Sequence, residues 1–295
     1  MAALSEWLKQ CEWLERLMET CRQALSFSDV FSGRRGVPST PRRRGIKGAA
    51  PCALIGLLAV WTPPAHAEEF VVSAAASLTD AFREIGKQFE QRYPEAKPTF
   101  NFAGSGALLQ QIVNGAPVDV FASADQFTMD EAVRKGVVTQ AEQQVFAINE
   151  LVLAVPRGDA PRVMRLEDLL QPGIERIAVA NPAHVPVGRY TKDALERAGL
   201  WTELQGKIIM TQHVRQSLEY VSRGEVDAGF VYRTDAAVAA ASVTTAFTVT
   251  TGEPVRYPIA PVKAAQHRDE AERFIRFVLS PDGLEILSRF GFSKP

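Results

Sequence analysis

Cysteine is scarce in this chain of 295 residues, and the three that are present, Cys11, Cys21 and Cys52, all lie near its start. The remainder of the chain can therefore form no disulfide bond and no thiolate metal site. Its stability has to come from a packed apolar core. The 228 residues from Glu68 to the end are enough to bury such a core in one large domain or two small lobes.

A hydrophobic run long enough to cross a bilayer is also absent. The most apolar stretch, from Ala49 to Trp61, is too short to span one. It follows the basic residues 42–47 and precedes Ala65-His66-Ala67, which places small residues at both positions of a signal cleavage site. This pattern predicts residues 1–67 to be an N-terminal extension with a cleaved signal peptide, and the mature chain to be periplasmic and to start near Glu68.

The residues before this signal leave alternatives open. Apolar side chains recur at helical spacing between Leu4 and Leu25, which is typical of a small amphipathic helix that contacts a partner or a membrane. Because a signal peptide normally opens a chain, a start codon placed too early, with the true start nearer Val37, is the other interpretation. If cleavage fails, the apolar run would remain as an anchor.

An excess of basic residues is missing as well. From Glu68 onward the chain has 24 Lys plus Arg against 29 Asp plus Glu, a formal net charge of −5. A mildly acidic protein without a basic stripe is a poor binder of nucleic acid. We therefore expect no nucleic-acid partner.

Strand-like runs rich in Val, Ile and Phe alternate with helical patterns after residue 68. The predicted strands are 70–74, 99–102, 118–122, 151–155, 177–180, 207–210, 228–231 and 257–262. This alternation predicts an α/β fold with mainly parallel sheets flanked by helices. Turn-rich breaks at 155–159 and 251–254 indicate a chain that leaves a first lobe, builds a second one and returns. We expect residues 68–153 with 254–295 to form lobe 1 and residues 154–253 to form lobe 2.

The starts of the predicted helices carry the main functional signal. Four segments end an apolar run and then begin a helical pattern, and they reach Ser77, Ser105, Val187 and Val214. A helix start has unpaired backbone N–H groups and the positive end of the helix dipole. Several starts aimed at one point predict a site for an anion that is held without charged side chains.

Five ordered motifs carry a family resemblance. They are Ala-Ala-Ala-Ser-Leu-Thr-Asp at 74–80, Ala-Pro-Val-Asp-Val-Phe-Ala-Ser-Ala-Asp at 116–125, His-Val-Pro-Val-Gly-Arg-Tyr at 184–190, Val-Arg-Gln-Ser-Leu at 214–218 and Gly-Phe-Val-Tyr at 229–232. In this order they resemble the periplasmic molybdate-binding proteins of ABC importers, from about Glu69 to Phe292. The resemblance implies a two-lobed type II periplasmic-binding-protein fold with the ligand in a cleft between lobes that close by hinge motion.

The resemblance also implies a function and a site. It implies a monomeric receptor without enzymatic activity or a resident cofactor, which captures molybdate or tungstate and delivers it to the membrane permease of an ABC importer. The ligand contacts carried over from the family are Ser77, Ser105, Val187, Val214 and Tyr232, which would contact the oxygens of the oxyanion without ligating its metal directly.

The residues themselves support these five positions unequally. Ser77, with Asp80 three places on, reads as a helix N-cap in a capping box. Ser105 lies between two glycines that allow close backbone approach to a ligand. Val187 and Val214 would contribute backbone N–H groups, so only the resemblance singles them out. Tyr232 ends a strand and could donate its phenolic O–H from lobe 2, although such a tyrosine is more often packed in a core.

These five positions offer hydrogen-bond donors and no carboxylate. Molybdate and tungstate are tetrahedral dianions without protons at neutral pH, so such a set suits them. A protonated phosphate would leave its O–H unpaired, at a cost of about 1–3 kcal/mol or more. Sulfate has the same charge and would be excluded only by size.

An enzyme is the competing interpretation. The strand–turn–helix serine Ser105, with Asp227 or Asp235 and then His267, follows the chain order of α/β-hydrolases, but a His-Gly-Gly segment is missing. The pair of glycines around Ser105 is only half of a dinucleotide fingerprint. The histidines of the mature chain, His184, His213 and His267, lie too far apart in sequence to indicate a metal site, and we expect them to have structural or surface roles.

Overall fold

The structure is a computed structural model, and it describes residues 68–158 and 163–295. In these ranges the strands are β1 (Glu68–Ala75), β2 (Ala96–Ala103), β3 (Val120–Ala122), β4 (Gln144–Asn149), β5 (Leu151–Pro156), β6 (Ile177–Ala180), β7 (Ile208–Thr211), β8 (Ala228–Tyr232), β9 (Val243–Thr248) and β10 (Val255–Pro261). The helices are α1 (Thr79–Arg92), α2 (Ser105–Val113), α3 (Gln126–Arg134), α4 (Pro186–Arg197), α5 (Trp201–Leu204), α6 (Val214–Ser222), α7 (Arg233–Val238), α8 (Arg268–Val278) and α9 (Pro281–Arg289). The predicted signal peptide and the alternatives for the start of the chain fall on residues 1–67, outside the described residues.

The strands form two sheets of five. The first has the order β2-β1-β3-β10-β4, and the second has the order β7-β6-β8-β5-β9. In the first sheet β1 pairs in parallel with β2 and β3, and β10 is antiparallel to both of its neighbours. In the second sheet β6 pairs in parallel with β7 and β8, and β5 is antiparallel to both of its neighbours. Each sheet thus has four strands in one direction and one reversed strand.

The chain passes between the two sheets twice. It leaves the first sheet at Asn149, the last residue of β4, and enters the second at Leu151, the first residue of β5. It returns between Thr248 and Val255. The predicted α/β fold with two lobes is confirmed, and we call the part around the first sheet the first lobe and the part around the second sheet the second lobe. The residue boundaries predicted for the lobes, 153/154 and 253/254, stay a proposal.

The apolar core explains why these segments fold as they do. In the first lobe α1 buries one face, with Phe82, Ile85 and Phe89 fully inaccessible to solvent. Edge-to-face aromatic contacts join this face to Phe70 of β1 and Phe274 of α8, with ring centroids 5.4–5.9 Å apart. This packing fixes β1 and α1, and with them the turn that connects the two.

Candidate functional site

A small cavity lies where the two lobes meet, at the carboxyl ends of the parallel strands. Its empty volume, counted with the space that opens to solvent, is about 200 Å³. Three strand ends of each lobe contribute to its wall. The lining residues are Ala75, Ala76, Ser77, Ala103, Gly104, Ser105, Ala124, Val185, Pro186, Val187, His213, Val214 and Tyr232. All five residues singled out from the sequence are therefore brought together around one space for a compact solute.

Two helices of the second lobe begin at this cavity. Val187 is the second residue of α4, whose N-cap residue Val185 gives no side-chain hydrogen bond. Val214 is the first residue of α6. Backbone N–H groups at these positions have no acceptor within their own helix, and the positive end of each helix dipole lies beside them. The arrangement provides N–H donors at the cavity wall, as the helix starts in the sequence predict.

Ser77 lies at the cavity, but not as a helix N-cap. It belongs to a 3₁₀ turn, Ala76–Leu78, that runs directly into α1, and the residue before α1 is Leu78 with helical backbone angles. The extended residue that a capping box requires is therefore absent at this point, and the predicted cap is wrong. The Ser77 hydroxyl is buried and instead makes a hydrogen bond of 2.9 Å with the Tyr257 hydroxyl.

Ser105 is the first residue of α2, after the N-cap residue Gly104. Its hydroxyl oxygen accepts a hydrogen bond of 3.1 Å from the backbone N–H of Ala124, two residues after the end of β3. Because the oxygen is used as an acceptor there, the hydroxyl proton is free to be donated elsewhere. Ser105 is fully buried, and the cavity is the space next to it.

The glycine after Ser105 brings the lobes into contact. The N–H of Gly106 donates a hydrogen bond of 2.9 Å to the carbonyl oxygen of His184 in the second lobe. A Cβ atom at position 106 would lie only 2.4 Å from that same oxygen. A glycine is needed here for the close approach of the two backbones, directly next to the lining residues Ser105 and Val185.

Tyr232 contributes the clearest polar group of the site. It is the last residue of β8, and only 1 % of its surface is accessible. Its hydroxyl group is buried without a hydrogen-bond partner among the residues that the structure describes. Burial raises the pKa of Tyr232 well above its ordinary value, so the hydroxyl keeps its proton. A buried donor without an acceptor is unfavourable unless a ligand supplies one.

Charged side chains are absent from the part of the wall that the described residues form. The wall includes no Asp, Glu, Lys or Arg, and its titratable side chains are those of His213 and Tyr232. Burial, together with the nearby Arg215, lowers the pKa of His213. Its Nδ1 accepts a hydrogen bond of 3.1 Å from the N–H of Gln216 and caps α6, which assigns the ring proton to Nε2. The wall is therefore neutral and rich in donors.

The charges lie beside the cavity, where they join the lobes. Arg189 of α4 contacts Asp125, the N-cap residue of α3, at 2.6 Å. Arg215 of α6 lies 2.7 Å from Asp80 of α1 and 2.7 Å from the fully buried Asp235 of its own lobe. The atoms facing each other in the Arg215 cluster are not aligned as hydrogen bonds, so these contacts act through charge. Both arginines hold the second lobe against the first one.

The structure does not assemble the hydrolase residues considered from the sequence. His267 lies beside Asp119, with its Nδ1 3.5 Å from a carboxylate oxygen that also accepts from the N–H of Val71, near the amino end of β1. Ser105 lies at the opposite, carboxyl end of the same sheet. Asp227 accepts from two backbone N–H groups before β6, and Asp235 is paired with Arg215. A serine, aspartate and histidine triad is not formed, and the hydrolase interpretation is not supported.

Clusters of metal ligands and membrane-spanning helices are absent from residues 68–158 and 163–295. No group of three or more His, Cys, Asp or Glu side chains in these ranges is arranged to hold a metal ion. None of the helices described there has the length and apolar character needed to cross a membrane. The cavity between the lobes is thus the candidate site.

Sequence reasoning missed part of the lining. Ala75 and Ala124 could not be recognised from the sequence, because an alanine side chain has no polar group that would indicate a place at a cavity wall. His213 was expected to be structural or at the surface, and it both caps α6 and lines the cavity. Its position directly between a strand and the helix start at Val214 is the signal that could have indicated this role.

Comparison with known proteins adds a second line of observation. Residues 70–293 match the family model described as bacterial extracellular solute-binding protein. The molybdate-binding protein ModA of Escherichia coli is 35% identical over 232 residues, which is 76% of this chain and 89% of that protein. ModA of Haemophilus influenzae is 32% identical over 233 residues, 78% of this chain and 91% of its own length. The solved periplasmic molybdate-binding protein of Azotobacter vinelandii is similar in structure, with a TM-score of 0.68 and 25% identity over 77% of this chain and 99% of that one.

Proposed function

Since the chain belongs to the bacterial extracellular solute-binding protein family, we propose that it captures molybdate or tungstate between its lobes and delivers the oxyanion to the membrane permease of an ABC importer. The relatives named molybdate-binding proteins support this choice of ligand. We further propose that the protein works outside the cytoplasm as a monomer, after cleavage near Glu68, and that it is a receptor rather than an enzyme.

The observation that carries the proposal is the unpaired hydroxyl of Tyr232 at the cavity. Its proton needs an acceptor, and an oxyanion oxygen would provide one. The hydroxyls of Ser77 and Ser105 and the N–H groups of Val187 and Val214 would contact the remaining oxygens. A ligand that brings only acceptors satisfies this wall, since every proposed contact is a donor.

The same wall supports a choice among anions. A protonated phosphate would bring an O–H group for which the lining has no carboxylate acceptor, so it would bind with an unpaired proton. Sulfate has no proton at neutral pH, and only the size of the closed cavity would discriminate against it. We therefore expect strong rejection of phosphate and a rejection of sulfate that depends on cavity size.

Calorimetric titration of the chain from Glu68 to Pro295 with molybdate, tungstate, sulfate and phosphate tests this function. We expect binding of the first two oxyanions with one ligand per chain, and weak or undetectable binding of phosphate. If none of the four anions binds, the proposed ligand class is wrong. If phosphate binds as well as molybdate, the argument from the donor-only wall is wrong.

A further inference from the structure

Tyr257 is a buried tyrosine that lies behind the cavity wall and does not line the cavity itself. It belongs to β10, is fully inaccessible to solvent, and makes a hydrogen bond of 2.9 Å between its hydroxyl and that of Ser77. The other partner of this hydroxyl is the side-chain amide of Asn149, at 3.3 Å. Asn149 is the last residue of β4, where the chain passes from the first sheet to the second.

The orientation of the Asn149 amide is fixed by its other contacts. Its Oδ1 accepts a hydrogen bond of 2.9 Å from the backbone N–H of Glu150, which can only donate. The Nδ2 group is therefore the one that faces Tyr257, and it also donates to the Thr234 hydroxyl at 2.9 Å. Because Nδ2 has no acceptor capacity, the Tyr257 oxygen must accept in its contact with Asn149.

This leaves one acceptor for the phenolic proton of Tyr257. Among the described residues its hydroxyl has hydrogen bonds to Ser77 and Asn149, and only Ser77 can accept. If Ser77 donated instead, a buried phenolic proton would have no partner, which is unfavourable. Burial also raises the pKa of Tyr257 well above its ordinary value, so this proton is present at any physiological pH. The hydrogen bond therefore runs from Tyr257 to Ser77.

We propose that Tyr257 is a positioning residue that turns the Ser77 hydroxyl into an obligatory donor toward the cavity. Each group in the series donates a hydrogen bond to the next one: the Asn149 amide to Tyr257, the Tyr257 hydroxyl to Ser77, and the Ser77 hydroxyl to the bound anion. The inference rests on the proposed function, since it concerns how the same site chooses its ligand. Without the hydrogen bond from Tyr257, the Ser77 proton could turn away from the cavity, and the Ser77 oxygen could then accept a hydrogen bond from a protonated anion. Tyr257 therefore acts on ligand specificity through Ser77.

Ser105 provides an internal comparison. Its oxygen accepts from the backbone N–H of Ala124, so its proton is also directed away from that contact. The hydroxyl oxygens of the two serines thus accept hydrogen bonds from different kinds of group, a backbone N–H for Ser105 and a tyrosine side chain for Ser77, and each leaves the serine proton to be donated to a ligand. Only the hydrogen bond to Ser77 can be removed by substitution of the donating side chain.

Replacement of Tyr257 by phenylalanine isolates the hydroxyl from the ring. The ring packs edge-on against Phe146, Tyr232 and Phe292, with centroids 6.3, 5.8 and 5.3 Å away, and phenylalanine keeps these contacts. Molybdate affinity is measured by titration calorimetry for the wild-type protein and for Tyr257→Phe, each alone and combined with Ser77→Ala or Ser105→Ala. Thermal unfolding without ligand is recorded for every variant.

We expect Tyr257→Phe to weaken molybdate binding about threefold to tenfold in the wild-type and Ser105→Ala backgrounds, the range of one neutral hydrogen bond. In the Ser77→Ala background we expect no further loss, because Tyr257 acts through the hydroxyl that is already gone. An equal loss in both serine backgrounds, or none in any, would overturn the inference while leaving the receptor function intact. A wild-type protein that binds no oxyanion would overturn both.

Discussion

At the scale of single residues, removal of the Tyr232 hydroxyl should weaken ligand binding without lowering the stability of the ligand-free protein. We expect Tyr232→Phe to weaken molybdate binding by about 1.5–3 kcal/mol, the usual range of a hydrogen bond to a charged group. The ligand-free variant should be at least as stable as the wild type, because the hydroxyl has no protein partner to lose. Titration calorimetry and urea unfolding together check this, and unchanged affinity would contradict the assignment of Tyr232.

A matched control is available at another tyrosine. Tyr220 lies on α6, is half-buried, and its hydroxyl oxygen accepts a hydrogen bond of 3.1 Å from Gln216 away from the cavity lining. Tyr220→Phe removes the same oxygen atom from a tyrosine outside the site. We expect its affinity for molybdate to remain that of the wild type, so that a loss at Tyr232 reports the site and not a general effect of the substitution.

The site residues differ in how far the sequence could predict them. The spacing around Ser105 and Tyr232 indicates a possible contact, because a polar side chain stands at a strand end. Val187 and Val214 could come only from family resemblance, since a backbone N–H group leaves no mark on the choice of side chain. Tyr257 could not be predicted at all, because its partner Ser77 is 180 positions away in the sequence.

At the scale of elements, the start of α2 is a sensitive point for closure. Gly106→Ala would place a Cβ atom 2.4 Å from the carbonyl oxygen of His184, so the lobes could not close to the observed distance. We expect molybdate affinity to fall about tenfold to a hundredfold, from an overpacking penalty of about 1–3 kcal/mol. The variant should unfold no earlier than the wild type without ligand, since alanine favours a helix by about 1 kcal/mol over glycine.

Gly206→Ala is the control for this change. Gly206 lies in the 3₁₀ turn Gln205–Lys207, and an added Cβ there would meet no atom within 4 Å. We expect it to bind molybdate as the wild type does. If both alanine variants bind equally well, close approach at position 106 is not required for ligand capture.

Two strands that the sequence analysis did not predict both lie at the edge of a sheet. β4 and β9 are not among the predicted strands, and each lies at one edge of its sheet, with only one neighbouring strand; the opposite edge strands, β2 and β7, were predicted. β9 is mostly exposed or half-buried and rich in threonine, so its apolar pattern is weak. Interior strands such as β6 and β8 are fully buried and were readily predicted, because burial on both faces requires a continuous apolar run.

At the scale of the whole molecule, the charge cluster of Arg215, Asp80 and Asp235 links stability to pH. Burial raises the pKa of Asp235 to about 6, against the opposing attraction of Arg215. A raised pKa means that the folded protein binds this proton more tightly than the unfolded chain does. The resulting stabilisation is fully present below about pH 3.8 and is lost as the pH rises through about 6; linkage gives it a size on the order of 3 kcal/mol.

Replacement of this carboxyl by an amide tests the prediction. Asp235→Asn has no proton to bind at this position, so it does not lose this stabilisation when the pH rises. As the pH is raised from 4 to about 6, its free energy of unfolding should fall less, or rise more, than that of the wild type. Urea unfolding at several pH values measures both curves. Parallel curves across this window would contradict the raised pKa of Asp235.

The overall architecture was only partly accessible from the sequence. Alternating strands and helices with two breaks predict an α/β fold whose chain crosses twice. The reversal of β5 and β10 within their sheets could not be predicted, because a buried strand has the same apolar pattern in either direction. The contacts of Arg189 with Asp125 and of Arg215 with Asp80 join residues far apart in sequence, and no local pattern pairs them.

The place of β10 has a consequence for the timing of folding. β10 is the strand that connects β3 to β4, yet among the described strands it is the last one in chain order and so the last to leave the ribosome. Until Val255–Pro261 have been synthesised, the strand that joins β3 to β4 is missing, and the first sheet cannot be completed. The export proposed above requires the chain to remain unfolded until it has been translocated. The sheet order delays the final structure until nearly the whole polypeptide has been made.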